Sequence, residues 1–280
     1  MSPFVETYLI VLRELRRNFR SVKGIALAVL SLLGGSGAAM LFVKYQQFKR
    51  ERLADMSVEQ MRALREQAYV ELGGYDADTA KSLASSPEVL YAVFILTIWL
   101  TPLLIALLGF DNVSSDMQHR AVRYWSVRTR RGSYFAGKFF GLFATVSGIT
   151  LAMQLIIWTV CIVRGEATAG ETFTWGLRLW LTSLPMSAAW CGVATLTGSF
   201  FRQPFLALLS IFGAFFGLWF IWVLGNVAKL EPLVYLYPNQ YDRMLLSAKP
   251  WTALGGLAAC LGFAGVTVGG GGALFARRDV

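Results

Sequence analysis

The chain has one histidine and three cysteines in 280 residues. A single histidine excludes a two-histidine metal site within one chain, and His119 lies in a charged connection where such a side chain is ordinarily solvated. Cys161, Cys191 and Cys260 fall inside apolar stretches without metal-type spacing. Neither a metal site nor a disulfide framework is therefore expected, and packing between helices is their simplest role. Charge is missing from the middle of every long apolar run, where proton- and ion-driven transporters keep an ionisable residue. The polar residues inside those runs, such as Ser147, Thr150, Gln154, Ser183 and Ser187, have no carboxylate pair or serine–histidine arrangement beside them, which argues against catalysis. A nucleotide site is missing too. The segment from Gly132 to Lys138 has the two glycines and the lysine of a P-loop, but Phe139 stands where a serine or threonine must hold magnesium.

What the chain has in abundance is apolar sequence. It is 55% hydrophobic with a mean hydropathy of +0.52, too apolar for an ordinary soluble domain. The apolar residues gather in six runs, at residues 24–43, 89–109, 139–163, 175–199, 204–226 and 251–275. About 20 residues at a rise of roughly 1.5 Å cross a hydrocarbon core, so each run is long enough to span a membrane. The expected fold is an all-α integral membrane protein, one domain over residues 1–280 with six transmembrane helices. Asp111, Lys138 and Arg178 sit at the ends of runs, where snorkelling to the headgroups is inexpensive.

Charge orients the spans. Six crossings place the N-terminus, the second and fourth connections and the C-terminus on one side, which collects fourteen basic and five acidic residues, the whole net charge of +9. The other side balances twelve against twelve, much of it in a long first connection that translocates largely regardless of charge. Both termini are therefore expected in the cytoplasm of a bacterium, with the chain in its inner membrane. A pI near 9.7 then reflects a basic rim facing anionic lipid headgroups, and nucleic acid is not an expected partner.

Residues 3–20 precede the first span with helical periodicity. Phe4, Val5, Tyr8, Leu9, Leu12, Leu15 and Phe19 fall near one face, and charges surround the rest. Such a helix lies in the membrane interface, with Arg13, Arg16, Arg17 and Arg20 toward headgroups, or else is a cytosolic amphipathic helix packed on something else. Residues 44–87 form the longest polar stretch. Ser57-Val58-Glu59-Gln60 has the pattern of a capping box, helix formers follow through Leu72, and Gly73-Gly74 stops them. A second short helical piece from Asp78 to Ser86 completes an extracytoplasmic helical hairpin, whose Val58, Met61, Leu64, Ala68 and Leu72 are expected to pack on the membrane domain. The last outer connection holds Tyr235, Tyr237, Tyr241 and Trp251, residues suited to the outer interface. The final run is glycine-rich, which lets helices approach closely.

The connection at residues 110–138 mixes charge and aromatics. Ser114 or Ser115 can cap a short helix with Asp116 in its first turn, and Arg128, Arg130, Arg131 and Lys138 bring the chain back to the headgroups. The natural product is a short helix lying along the cytoplasmic membrane surface.

Here the sequence resembles a known family. Gly109-Phe110-Asp111, then Ser115-Asp116, then Arg120-Ala121-Val122-Arg123-Tyr124, then Arg131 to Phe139, together with the ending Phe275-Ala276-Arg277-Arg278-Asp279-Val280, resemble the type-2 permeases of ATP-binding cassette (ABC) transporters. Six spans, an N-terminal interfacial helix and a very short fourth connection extend the likeness over the full length. Two departures stand out: Gln118-His119-Arg120-Ala121-Val122 replaces the family's Glu-x-x-x-Gly-Thr portion, and the first outer connection is long. The resemblance implies a permease half that dimerises, as a homodimer in the simplest case, and rests on two cytoplasmic ABC ATPases. ATP and magnesium would sit on those partners, with no cofactor in this chain. It also implies that the 110–138 segment is a coupling helix, with Asp111, Ser115, Asp116, Arg120, Arg123, Tyr124 and Trp125 in contact with the ATPase.

Two functions fit this pattern. One is export of a lipid-like, peptide-like or drug-like amphiphile, with Phe212, Phe216, Trp219 and Trp222 of the fifth span as a possible path. The other is a mechanical or assembly subunit that passes ATP-driven motion to an extracytoplasmic protein partner. The long hairpin gives the second reading its weight.

Overall fold

The computed structural model describes residues 2–52, 56–121 and 129–277, and it is helical throughout, with no strand among the described residues. Helix α1 (Pro3–Arg20) starts on Ser2, whose hydroxyl accepts the Val5 N–H, with Pro3 at the first position where no N–H is needed. Ser21 is extended and turns the chain into α2 (Val22–Arg52). The hairpin follows as α3 (Val58–Glu71) and α4 (Ala77–Ala84). Next come α5 (Glu88–Gly109), the single turn α6 (Ser114–Gln118), α7 (Arg131–Val163) and α8 (Ala169–Gly198). The chain ends with α9 (Pro204–Ala228), α10 (Glu231–Val234), a 3-10 turn at Pro238–Tyr241, α11 (Asp242–Leu245) and α12 (Pro250–Ala276).

Helices α2, α5, α7, α8, α9 and α12 are long and apolar enough to cross a membrane, and the chain is a multi-pass membrane protein. They outrun the apolar stretches that announce them. Helix α2 continues through Arg52 and α7 begins at Arg131, because a helical backbone satisfies its own hydrogen bonds whatever its side chains are. Helix α8 is the hub: it packs on α5, α7, α9 and α12 and is enclosed over most of its length. Thr168 and Glu171 start it with a reciprocal capping box, a signal present in the sequence as Thr-x-x-Glu. Helices α2, α9 and α12 border the bundle and leave most of their apolar surface open, as at Leu33, Phe216 and Val266. In a membrane that surface meets lipid at no cost.

The packing of α1 departs from simple amphipathic placement. Glu6, Ile10, Glu14 and Asn18, spaced four apart, form its buried stripe, while Phe4, Val5, Tyr8, Leu9 and Phe19 are exposed. The buried stripe lies on α7 along Gly137, Gly141 and Thr145, again spaced four apart. A Cβ at Gly137 would come within 2.6 Å of the Ile10 Cβ, and one at Gly141 within 2.6 Å of the Glu14 Cβ. Asn18 Nδ2 donates to Thr145 Oγ1 at 3.0 Å. Gly137, the second glycine of the segment that imitates a P-loop, thus opens a notch into which another helix fits.

The hairpin forms where the sequence places it. Ser57 and Gln60 make both bonds of their capping box, and Gly74, at φ +67°, ends the first arm. Its apolar positions do not pack as expected, however. No residue of α3 is buried; Val58 is 74% exposed and Leu72 85% exposed, because α3 rests mainly on α4 rather than on the spans. Ion pairs of Lys49 with Glu88 (2.9 Å) and Arg50 with Glu166 (2.6 Å) fasten the C-terminal end of α2 instead.

Tyr237 is likewise not an interface residue. It is buried among Trp99, Trp190 and Trp222, drawn in by its neighbour Asn239. Pro102 inside α5 has no N–H for the Ile98 carbonyl four residues back, and Asn239 Nδ2 supplies that donor at 3.0 Å while its Oδ1 accepts from Trp190 Nε1 at 2.8 Å.

Two outcomes follow from these contacts. Gly137→Val and Gly141→Val each force α1 off α7 and destabilise the protein by about 1–3 kcal/mol, seen as a lower midpoint in thermal unfolding of detergent-purified protein. Gly213→Ala, which adds a Cβ into open space, leaves the midpoint unchanged; equal midpoints for all three variants would contradict the notch. Asn239→Leu strands a buried indole N–H and a buried carbonyl, each worth about 1–3 kcal/mol, and shifts the midpoint well beyond what Asn226→Leu does on the exposed side of α9.

Candidate functional site

Where α1, the α5–α6 turn and α7 meet, on the face that carries both termini, four charged side chains close on one another. Lys138 comes from the second turn of α7 and is fully buried. Its Nζ lies 2.8 Å from Glu14 Oε1 and 2.7 Å from Asp116 Oδ2. Glu14 is also fully buried, and its Oε2 lies 2.9 Å from Arg17 Nη2 one turn further along α1. Arg17 extends over the cluster to Asn112 Oδ1 (3.0 Å) and lies 3.8 Å from Asp116 Oδ1. Tyr134 donates its hydroxyl to Asp116 Oδ2 at 2.7 Å, and Asn112 Nδ2 donates to the Lys138 carbonyl at 3.0 Å.

Two carboxylates and two cations sum to zero, which is the condition for keeping charges out of water. Removing both ions' hydration is expensive, and only close opposite charges with additional hydrogen bonds offset it. Lys138 therefore does not snorkel to headgroups as expected from its place at the end of a run. The α1 helix that covers it brings the counter-charge, and the glycine notch lets that helix come close enough.

Neighbouring bonds widen the assembly. Lys23 at the start of α2 pairs with Asp111, donates to the Leu108 carbonyl at 3.2 Å and lies 4.6 Å from the centre of the Phe110 ring. The Arg130 backbone N–H donates to Glu6 at 3.1 Å, and Arg131 donates to the last-turn carbonyl of Ala276 at 2.7 Å. Phe275 of α12 stacks on Tyr134 with ring centres 5.7 Å apart. Helices α1, α2 and α7 are thus bonded to the short stretch around α6, which continues from α5, and α12 is fastened to α7 beside it.

The residues singled out from sequence separate into groups. Asp111, Asp116 and Arg17 turn inward, and Asp116 is buried rather than offered to a partner. Ser115 is half-buried, and its carbonyl accepts from the His119 backbone N–H at 3.1 Å. Arg120 is exposed and left-handed at φ +56°, ending α6 with a sharp change of direction. Arg16, Arg20 and Arg130 are exposed, while Arg13 and Arg131 are half-buried. Arg123, Tyr124, Trp125 and Arg128 lie outside the described residues. The aromatic set on α9 does not form one surface. Phe216 and Trp219 face outward, Phe212 is half-buried against α8-side core, and Trp222 turns to Trp99 and Tyr237 and donates to Gln240 at 3.0 Å.

Glu14, Asn112 and Tyr134 were not anticipated. The one local clue was that two stripes with a four-residue spacing, Glu6-Ile10-Glu14-Asn18 and Gly137-Gly141-Thr145, are complementary in size. Among the described residues, no three histidine, cysteine, aspartate or glutamate side chains gather as a metal site. Compared with known proteins, the sequence matches no protein-family model and no curated protein.

Lys138→Met leaves Glu14 and Asp116 facing each other without their shared cation and lowers stability by about 3–5 kcal/mol. Lys138→Met combined with Glu14→Gln keeps the cluster neutral and recovers a large part of that loss. Thermal midpoints of the two single variants and the double variant measure the difference; additive losses would mean that the pair does not interact.

Proposed function

We propose that this chain is the membrane-spanning permease subunit of a type-2 ABC transporter, using ATP hydrolysed by two separate cytoplasmic subunits to export an amphiphile of lipid-like, peptide-like or drug-like character. The observation that supports it best is the bonding of α1 and α7 to the α6 stretch through the Lys138 cluster, with α2 tied to the same stretch by Lys23 and Asp111. A partner that pushes on this stretch moves α1 and α7 with it, since sliding them apart would expose buried unpaired ions. Under this reading Asp111, Ser115 and Asp116 act from inside, holding the segment rigid, and Arg120, Arg123, Tyr124 and Trp125 meet the ATPase. The face with both termini is cytoplasmic, in the inner membrane of a bacterium, as the basic excess favours. The exposed face of α1 lies in the headgroup layer with Arg16 and Arg20. A second copy covers part of the open apolar surface of α2, α9 or α12, and lipid covers the rest.

The exposed α3 arm favours the mechanical reading as a second possibility. Apolar residues such as Val58, Leu64 and Leu72, left without a covering within the chain, suit a protein partner outside the cell membrane.

Coexpression with an ABC ATPase encoded beside it, which this reading requires, tests the main reading. The tagged wild-type chain copurifies with that ATPase, and Arg123→Ala/Trp125→Ala loses most of it while keeping the wild-type thermal midpoint. No ATPase with the wild-type chain would sink the assignment. Deleting residues 56–86 separates the two functions: export survives if the chain is an exporter, and only a partner's docking is lost if it is mechanical.

A further inference from the structure

On the face opposite the termini, the hairpin, α5, α9 and the last connection enclose a cleft of about 450 Å3. Its walls are mostly aromatic. Tyr69, Tyr75 and Tyr91 make one group with ring centres 4.9 to 6.5 Å apart. Trp99, Trp222 and Tyr237 make a second, 5.6 to 6.3 Å apart. All six rings line the same cleft, and the carboxylate of Asp242 lines it with them.

Asp242 is poorly matched in charge. Its Oδ2 accepts from the Tyr75 hydroxyl at 3.3 Å and its Oδ1 from the Arg243 backbone N–H at 2.6 Å. It makes no ion pair with any described residue. The adjacent Arg243 also lines the cleft, but its guanidinium lies over Gly74, where a Cβ would come within 2.8 Å of Nη1, and it makes no ion pair with Asp242. The cleft is thus lined by one anion, six aromatic rings and one guanidinium that is not paired with that anion. The cluster on the opposite face, by contrast, balances every charge.

We propose that this cleft binds an organic cation of the quaternary-ammonium class, with the charge held between the aromatic faces and Asp242. The negative face of an aromatic ring attracts a cation, and a quaternary ammonium has no N–H to leave unsatisfied against such a wall. A hard metal ion would need several oxygens at close range, and the cleft offers too few. The same chemistry could arrive as a free small molecule or as a choline lipid headgroup. The cleft binds or fails to bind whether or not the chain works with an ATPase.

Protonation gives an independent signature. Burial pushes the Asp242 carboxyl up to about 6, above its ordinary range. The groups facing it are Tyr75 and Tyr91 from across the cleft and Arg243 on its own helix. Burial also pushes Tyr75 upward, away from neutral pH. The chain's single histidine, His119, is on the opposite face. Between pH 7.5 and 5, Asp242 alone among these groups changes charge, and protonating it removes the anion that the ligand needs. Affinity therefore falls as the pH drops through about 6.

The test uses full-length protein in nanodiscs of phosphatidylglycerol, with radiolabelled choline as probe in a scintillation proximity assay. Saturable binding at pH 7.5 is expected, displaced by tetramethylammonium at least tenfold better than by 3,3-dimethylbutanol, the uncharged isostere of choline. Asp242→Asn should weaken binding tenfold or more and flatten its pH dependence. Tyr69→Phe, which keeps the ring, should bind as wild type does, and Tyr69→Leu should not; this pair decides the matter if Asp242→Asn fails to fold. Adding phosphatidylcholine to the nanodiscs distinguishes the sources: weaker choline binding identifies the lipid headgroup as occupant, and unchanged binding identifies a free ligand. Absence of saturable binding, equal displacement by the uncharged isostere, or a folded Asp242→Asn that binds normally would each overturn the proposal.

Discussion

A lysine ammonium held between two carboxylates, out of contact with water, constrains everything around it. Lys138 can be charged in that position only while Glu14 and Asp116 are both within reach, so α1 and the α5–α6 turn are bound to keep their places against α7. Buried ion pairs contribute little net stability compared with a well-packed apolar replacement. Their effect is to make one arrangement far better than its neighbours. A helix that slides by one turn on a greasy surface loses little; one that slides away from Lys138 breaks a buried ion pair and leaves the lysine with one carboxylate instead of two.

The glycines of α7 belong to the same device. Gly137 and Gly141 bring the α1 backbone close enough for a glutamate side chain to reach the lysine, and Thr145 fixes the far end through Asn18. Helix α1 is consequently two-sided, with acidic and amide groups facing the protein and aromatic and aliphatic groups facing out. At the other end of the bundle a single asparagine plays the comparable part. Asn239 fills the hydrogen bond that Pro102 takes from α5 and ties the last connection to α5 and α8.

How much of this was legible in the sequence depended on distance along the chain. The six spans and the capping box at Ser57 and Gln60 rest on patterns within one helix or one turn, and those are visible from the residues alone. Lys138 was read as a snorkelling residue because its local surroundings are those of a span end; its partner is 124 residues away. The orientation of α1 was ambiguous for a similar reason, since both its apolar set and its Glu6-Ile10-Glu14-Asn18 stripe have valid helical spacing. Only the partner surface decides between them. Tyr237 was assigned to the interface on residue type, and a proline in a different span was what drew its neighbour inward. The apolar residues of α3 show the reverse error, in which helical periodicity suggested a contact that the fold does not make.

The separation of Glu14 from Lys138 also has a consequence for how the protein is made. The chain emerges from its N-terminus, so α1 and the first two spans exist before the lysine that completes the cluster has been translated. During that interval Glu14 has Arg17, one turn away on the same helix, to offset its charge. Helix α1 can wait at the membrane surface in this half-neutral state and acquires its final seat when the start of α7 arrives. Docking of the first helix is therefore a late event in biogenesis, and the third span acts as its signal.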